Sequence, residues 1–318
     1  MVMVSLVDDF FKDKSIFITG SNGFVGQHLL SKLTDCGAKI STLCREYRRD
    51  ENSTQYQGDI RDAKFVMAAI LKCQPDHIFH LAGDITRSSS AETFSNSIDI
   101  NLNGTLNILM AAQQVQKLKS TVVMGTIDEY GECDFDIEEN IKARPFNAYS
   151  FSKYCATELS KIFNQFYDVN TVVLRPTLIY GPMQNVNMML PDLICHLLDN
   201  KLFAMSEGKQ TRDFIYIDDV INACLTAALT QECYGETFNI GSGQSSEIIE
   251  VAKTVEILMK KKNLLNVGAM NYRPNEIMTS SVSIEKAKAL LGWKPVYSLE
   301  QGLQKTIEFY KNEKRTVS

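Results

Sequence analysis

The chain has 318 residues, 44% hydrophobic and 22% charged, a composition that supports a large core and excludes a fibrous or disordered chain. Its net charge of −5 comes with no basic domain or stripe, which excludes nucleic acid as the expected partner. The eight cysteines include no C-x-x-C pair and the four histidines give no zinc-ligand spacing, so no metal is expected and the cysteines read as small buried hydrophobes of a reducing compartment.

The first seven residues are apolar, but Asp8 and Asp9 follow at once, too early and too acidic for a secretory leader. No run approaches the roughly 20 apolar residues of a membrane helix. The expectation is a cytoplasmic protein with no membrane contact.

The predicted elements alternate. Ser15–Thr19 reads as a buried strand, followed by helical spacing over 27–34 and a second strand over 38–44. Gly58-Asp59 closes a short third strand. A helix over 65–71 precedes a fourth strand within 75–82. A helix over 101–115 leads to a fifth strand at 120–126, and a long helix over 148–166 to a sixth at Thr171–Pro176. Strands separated by helices of about 10–15 residues predict a parallel sheet covered on both faces. The alternation weakens after Tyr180-Gly181-Pro182, and Pro191, Pro274 and Pro295 punctuate the rest. That part reads as a smaller lobe, mostly helical. Sheet elements are expected to return to the first lobe around 214–220 and 238–240.

Between the first strand and its helix stands Gly20-Ser21-Asn22-Gly23-Phe24-Val25-Gly26. Glycines there allow a tight turn and let backbone N–H groups approach a pyrophosphate at a helix N-terminus. Glycines also serve bland turns, but the position after strand 1 of an alternating chain favours the phosphate site. A carboxylate about 20 residues on would take the ribose 2′-OH of NAD. Here that place holds Cys44 and then Arg45, which favours the 2′-phosphate of NADP. Arg48 and Arg49 read equally well as a solvated loop.

Tyr149 and Lys153 lie four apart and so share a helix face. An ammonium one turn from a phenol favours phenolate, and a tyrosine so tuned can exchange the proton that accompanies hydride transfer. Y-x-x-x-K alone is common. Thr126, at the end of strand 5, adds a hydroxyl where parallel sheets bind ligands.

With these residues in place the chain resembles the extended short-chain dehydrogenases/reductases, the nucleotide-sugar epimerase/dehydratase family. The resemblance runs from Ser15 to about Pro295. It is carried by TGSNGFVG (19–26), GDIRD (58–62), HLAG (80–83), NLNGT (101–105), GTIDEYG (125–131), YSFSK (149–153), LRPTLIYGP (174–182), RDFIYIDDV (212–220), FNIGSG (238–243), RPNE (273–276) and LGWKP (291–295). It implies a Rossmann-like, doubly wound α/β fold with a smaller, mostly α C-terminal substrate lobe. The dinucleotide-binding domain would span 1–178, with returning elements near 212–243, and the substrate lobe 179–318.

The resemblance also implies roles. Gly20, Asn22, Gly23, Phe24, Val25 and Gly26 would hold the pyrophosphate, Arg45 the adenosine end, and Asp59 and Ile60 the adenine. Leu81, Ala82 and Gly83 would line the cofactor groove, Asn101 would bridge helix and sheet, and Pro176 would face the nicotinamide. Thr126, Tyr149 and Lys153 would be catalytic, the last two also touching the cofactor, which would be NADP or NAD with NADP favoured. Thr86, Asp128, Arg212 and Arg273 would meet the nucleotide-diphosphate sugar, the two arginines at its diphosphate. A homodimer is the expected assembly.

Three departures bear on the reaction. Leu178 stands where family members often have Asn, and Ile85 where a small polar residue is usual. Thr126 is followed by Ile127 before Asp128 and Glu129, so the adjacent acid of a dTDP-glucose-type dehydratase is missing. Asp128 stands where a GDP-mannose-type dehydratase has Glu; otherwise Asp128 and Glu129 form a hydrogen-bonding turn, a pattern also met in 4-keto-sugar reductases. The reading is therefore a hydride transfer at sugar C4, foremost by an NDP-4-keto-sugar reductase, then by a 4-epimerase, then by a 4,6-dehydratase. A non-catalytic cofactor-binding module is the reading from another class.

Overall fold

A computed structural model describes residues 9–47, 52–87, 90–133, 136–273 and 276–317. Arg48 and Arg49, and Pro274 and Asn275 of the RPNE motif, lie outside the described residues. The first region forms β1 (Ser15–Thr19), α1 (Phe24–Asp35), β2 (Lys39–Cys44), β3 (Ser53–Gln57), α2 (Ala63–Cys73) and β4 (His77–His80). It continues with α3 (Ala91–Ser97), α4 (Gly104–Ala112), β5 (Ser120–Met124), α5 (Ala148–Tyr167) and β6 (Thr171–Pro176). Whereas β3 is a polar, partly exposed strand at the sheet edge, β1, β2, β5 and β6 are built mainly on apolar or β-branched residues, and β4, β5 and β6 are buried along their whole length. Such strands need cover on both faces.

The cover is present. One face of the sheet packs α2, α4 and α5 around Val66, Ile70, Ile108, Leu109 and Phe163. The other packs α1 through Leu29 and Leu33, together with α7 (Ile217–Leu229, which follows α6, Met189–Leu198). The same apolar cluster continues through Leu193, Leu197, Val251, Trp293 and Leu303. The sheet has seven strands in the order β10-β6-β5-β4-β1-β2-β3, all parallel, β10 being Thr237–Ile240. The order from β3 to β6 is that of a Rossmann fold, whose chain reversal between β1 and β4 opens a crevice at the strand ends.

Three elements differ from expectation. The stretch expected as one helix over 101–115 begins instead as a π-turned segment, Ile98–Asn103, before α4. The helix α3 ahead of it, capped by Ser90, has too little apolar periodicity to announce itself. Residues 238–240 do return to the main sheet, as β10. Residues 214–220 do not: β9 (Thr211–Tyr216) pairs with β7 (Leu178–Tyr180) and β11 (Ser245–Glu247) in a separate three-stranded sheet, and 217–220 begin α7. A short apolar run specifies burial and not which sheet receives it.

The rest of the chain adds α6, a two-strand pair of β8 (Phe203–Met205) with β12 (Leu265–Val267), α8 (Ile248–Leu258) and α9 (Leu299–Val317). Asp219, in the first turn of α7, is buried. Its carboxylate accepts from the backbone N–H of Val296 (2.8 Å) and Tyr297 (3.1 Å), and its carbonyl accepts from the Trp293 indole. Thus two of the motifs seen in sequence, RDFIYIDDV and LGWKP, are stitched to each other.

Candidate active site

The glycine loop is packed to the point where only glycine fits. Gly20 has φ +74°, and a Cβ on it would lie 2.6 Å from the Ala82 nitrogen. A Cβ on Gly26 would lie 2.1 Å from the Gly20 carbonyl oxygen. Gly23 is the N-cap of α1; no side chain caps the helix and no acid occupies its first turn, so its N–H groups and positive end face the strand ends. Asn22 fixes the loop by donating to the Glu46 carbonyl, and Phe24 lies against Gly181 across the crevice. This cradle fits a dinucleotide's pyrophosphate on its own geometry.

At the adenosine end, Cys44 is buried and donates to Gln55. Arg45 is exposed, and its charge lowers the pKa of Asp59 in company with the larger effect of Arg61, which grips Asp59 with two hydrogen bonds of 3.0 and 2.6 Å. Ile60 is buried against Gly104, and its carbonyl accepts from Asn107. The end of β2 itself presents no carboxylate side chain.

Deeper in, Leu81 and Ala82 donate their N–H groups to the backbone and hydroxyl oxygens of Thr19. Gly83 leaves room for two side chains: a Cβ there would be 3.0 Å from both Asn101 Oδ1 and Lys153 Nζ. Asn101 sits in the π-turned segment and donates to the Asp84 carbonyl and to Ser152 Oγ, while its Oδ1 accepts from the Asp84 N–H at 2.7 Å. Lys153 donates to the Met124 carbonyl at 2.8 Å, and burial brings its pKa down to about 8, with Glu129 opposing. His80, buried between Thr19 and Thr105, is held neutral by burial and then by Lys153, with a pKa of about 3. Pro176 ends β6 in register with Ile240.

Helix α5 presents the tyrosine. Its N-cap is Asn147, in a reciprocal cap with Ser150, so Tyr149 falls in the first turn and Lys153 one turn on. Tyr149 is 8% exposed, and burial pushes its phenol up to about 12. The Asp128 carboxylate adds to that rise, while a hydrogen bond with Thr126 and the charge of Arg87 oppose it. The Arg87 guanidinium lies 5.7 Å from the Tyr149 ring centre and donates to Asp128 at 2.6 Å. Thr126, Tyr149, Lys153, Asn101 and Gly83 are thus gathered at the ends of β4 and β5.

The expected substrate residues surround this group. Thr86 spends its hydroxyl on Asp84. Arg212 is ion-paired to Glu276 at 2.5 Å, and the charges of Asp128, Arg87 and Arg273 also reach it. Arg273 is exposed. A cavity of about 620 Å³ is lined by Asp84, Thr86, Thr93, Asn96 and Asp99.

Sequence reasoning missed Asp84, Arg87, Ser152 and the pairing of Glu129. That glutamate is fully buried; it accepts from the Thr126 N–H and Thr157, and forms an ion pair with the equally buried Arg175 at 2.6 Å. The signal for it was present: T-x-x-E at 126–129 is a capping box, and the box is formed. No sequence signal marks Arg87.

The pattern of the NAD-dependent epimerase/dehydratase family matches residues 16–241. The chain belongs to that family. It is 28% identical over 322 residues to the human dTDP-D-glucose 4,6-dehydratase, covering 94% of this chain and 90% of that one. The UDP-glucose 4-epimerase of Thermotoga maritima, solved with UDP-glucose, superposes with a TM-score of 0.88 at 25% identity, covering 95% and 99% of the two chains. The UDP-glucuronic acid 4-epimerase of Bacillus cereus, solved with UDP-glucuronic acid and NAD, gives 0.85 at 25%, covering 94% and 99%. As a member of the family, this protein is an NAD-dependent-type enzyme of the extended short-chain dehydrogenase class.

Proposed function

We propose that the protein transfers a hydride at C4 of a nucleotide-linked sugar, running foremost as an NADP-dependent reductase of 4-keto sugars. The observation that carries the chemistry is the meeting of Thr126, Tyr149 and Lys153 at the strand ends beside Gly83. The cofactor, when bound, supplies or accepts the hydride. Tyr149 gives the proton to, or takes it from, the C4 oxygen. Thr126 Oγ1 holds the same oxygen, and Lys153 adds positive charge where phenolate must form.

Two observations choose among the family's reactions. Asp128 is tied to Arg87 and Glu129 to Arg175, so neither carboxyl stands free as the acid an elimination needs, which disfavours dehydration. The end of β2 offers Arg45 and no carboxylate from the strand, which favours a 2′-phosphate. A second reading, a 4-epimerase retaining NAD, draws support from the epimerase relatives.

The experiment is to identify any nucleotide released from purified protein and to assay NDP-4-keto-6-deoxy sugars with NADPH and NADH, alongside UDP-glucose. Charge-assisted contacts contribute about 1.5–3 kcal/mol, so Arg45→Ala is expected to weaken NADP about 10- to 100-fold and NAD much less. Tight NAD, indifference to NADP and UDP-glucose interconversion would replace the reductase with the epimerase.

A further inference from the structure

Arg87 and Asp128 belong to no packing core, and their pairing contributes little to folding. Arg87 is half exposed (52%), and ion pairs of that kind are worth little in stability. Their position is what distinguishes them. Asp128 follows the catalytic hydroxyl in sequence, and its N–H donates to Thr126 Oγ1 at 3.2 Å, the oxygen that also meets the Tyr149 phenol. Arg87 comes from the loop after β4, anchored through Asp84 by Asn101, Thr86 and Ser97. One acid and one base thus converge on Tyr149 from two different strand ends.

We propose that the Arg87–Asp128 ion pair is a positioning pair for Tyr149, two opposed charges held beside the phenol that govern when it gives or takes its proton. This rests on the oxidoreductase reading above. The other charged groups facing the phenol do not substitute for the pair. Glu129 is paired with Arg175 and adds a smaller push in the same direction as Asp128. Lys153, the ammonium assigned to the phenolate above, is bonded to the Met124 carbonyl and not to an acid. Asp84 is occupied by Thr86 and Ser97, His80 is neutral, and Arg212 is turned to Glu276. Among the described residues, Arg87 and Asp128 are the couple whose two members both act on the phenol, in opposite directions, and are bonded to each other.

A bonded couple has a signature that an ordinary surface contact lacks. Removing the cation strips a stabilising charge from phenolate and bares Asp128, so the phenol must titrate later. Removing the anion leaves Arg87 alone, so it must titrate earlier. Removing both must return it close to the starting point. Unit charges at such distances in a half-exposed site correspond to shifts of ~0.5–1 pH unit each way.

The test uses the full chain loaded with whichever of NADP⁺ and NAD⁺ it binds and with tyrosine labelled at Cζ, the Tyr149 resonance being assigned by its loss in Tyr149→Phe. Titration from about pH 8 to about pH 12.5 is compared for wild type, Arg87→Met, Asp128→Asn, the double variant and Arg87→Lys, the onset of phenolate formation ranking the proteins where a midpoint lies above that range. The expected order of midpoints is Arg87→Met above wild type and Asp128→Asn below it, with the double variant and Arg87→Lys near wild type. Identical behaviour of all five proteins, whether they titrate together or stay protonated throughout, overturns the proposal. The titration needs no sugar, so absence of turnover on every nucleotide sugar would sink the oxidoreductase reading and leave this measurement standing.

Discussion

Tyr149 buries its ring and keeps its one ionisable oxygen toward Thr126, so changing it to Phe removes the proton carrier and little packing. General acid–base catalysis is typically worth about 10²–10⁴-fold. Tyr149→Phe should lower kcat by that order with an unchanged melting temperature and nearly unchanged sugar binding; steady-state kinetics beside calorimetry decides it. Turnover near wild type would remove Tyr149 from the reaction. At this scale the sequence revealed the hydroxyl, phenol and ammonium, because their spacing is tied to a strand end and one helical turn. It did not reveal Arg87, whose partner Asp128 lies across the crevice on a different strand end. Contacts of that kind depend on loop paths that no local pattern encodes.

The turn after β5 carries two acids that differ entirely in what they do. Asp128 faces the opening with Arg87, whereas Glu129 is sealed beneath it and joins the turn to α5 through Thr157 and to β6 through Arg175. Removing one partner of a buried ion pair strands the other, at a cost of about 3–5 kcal/mol. Glu129→Gln should therefore lower the unfolding free energy, measured by denaturant titration, by about 3–5 kcal/mol, while Asp128→Asn should lower it by less than about 1 kcal/mol. Equal small shifts would show that the buried pair holds nothing together. The buried strands β1, β2, β4, β5 and β6 were legible in sequence, since a buried parallel strand leaves an apolar or β-branched trace; β3, polar and partly exposed, was located only by the Gly58-Asp59 that closes it. The split of the 98–112 stretch into a π turn and a helix was not. Asn101 makes its bonds through that distortion, and hydrophobic periodicity does not record a widened turn.

Across the whole molecule, the outer sides of α4 and α5 expose Met110, Phe151, Ile162, Phe166 and Tyr167, with Phe166 67% accessible. Scattered apolar residues are ordinary, but aromatic and aliphatic side chains gathered on two neighbouring helices suit a contact with another copy. A dimer is expected by sedimentation at micromolar concentration, and Phe166→Glu with Ile162→Glu should yield monomer that still folds. Wild type sedimenting only as a monomer would remove the dimer.

The seventh strand has a consequence for how the chain is made. β10 joins β6 at the border of the sheet, yet it is drawn from residues 237–240, after the excursion through β7, α6, β9 and α7. On the ribosome β6 therefore waits with a bare row of N–H and C=O groups until that excursion is complete. A bare strand edge is a template for pairing with other chains. Nascent molecules stalled or cleaved between the lobes would be aggregation-prone however stable the finished protein, and chaperones would meet them in that window.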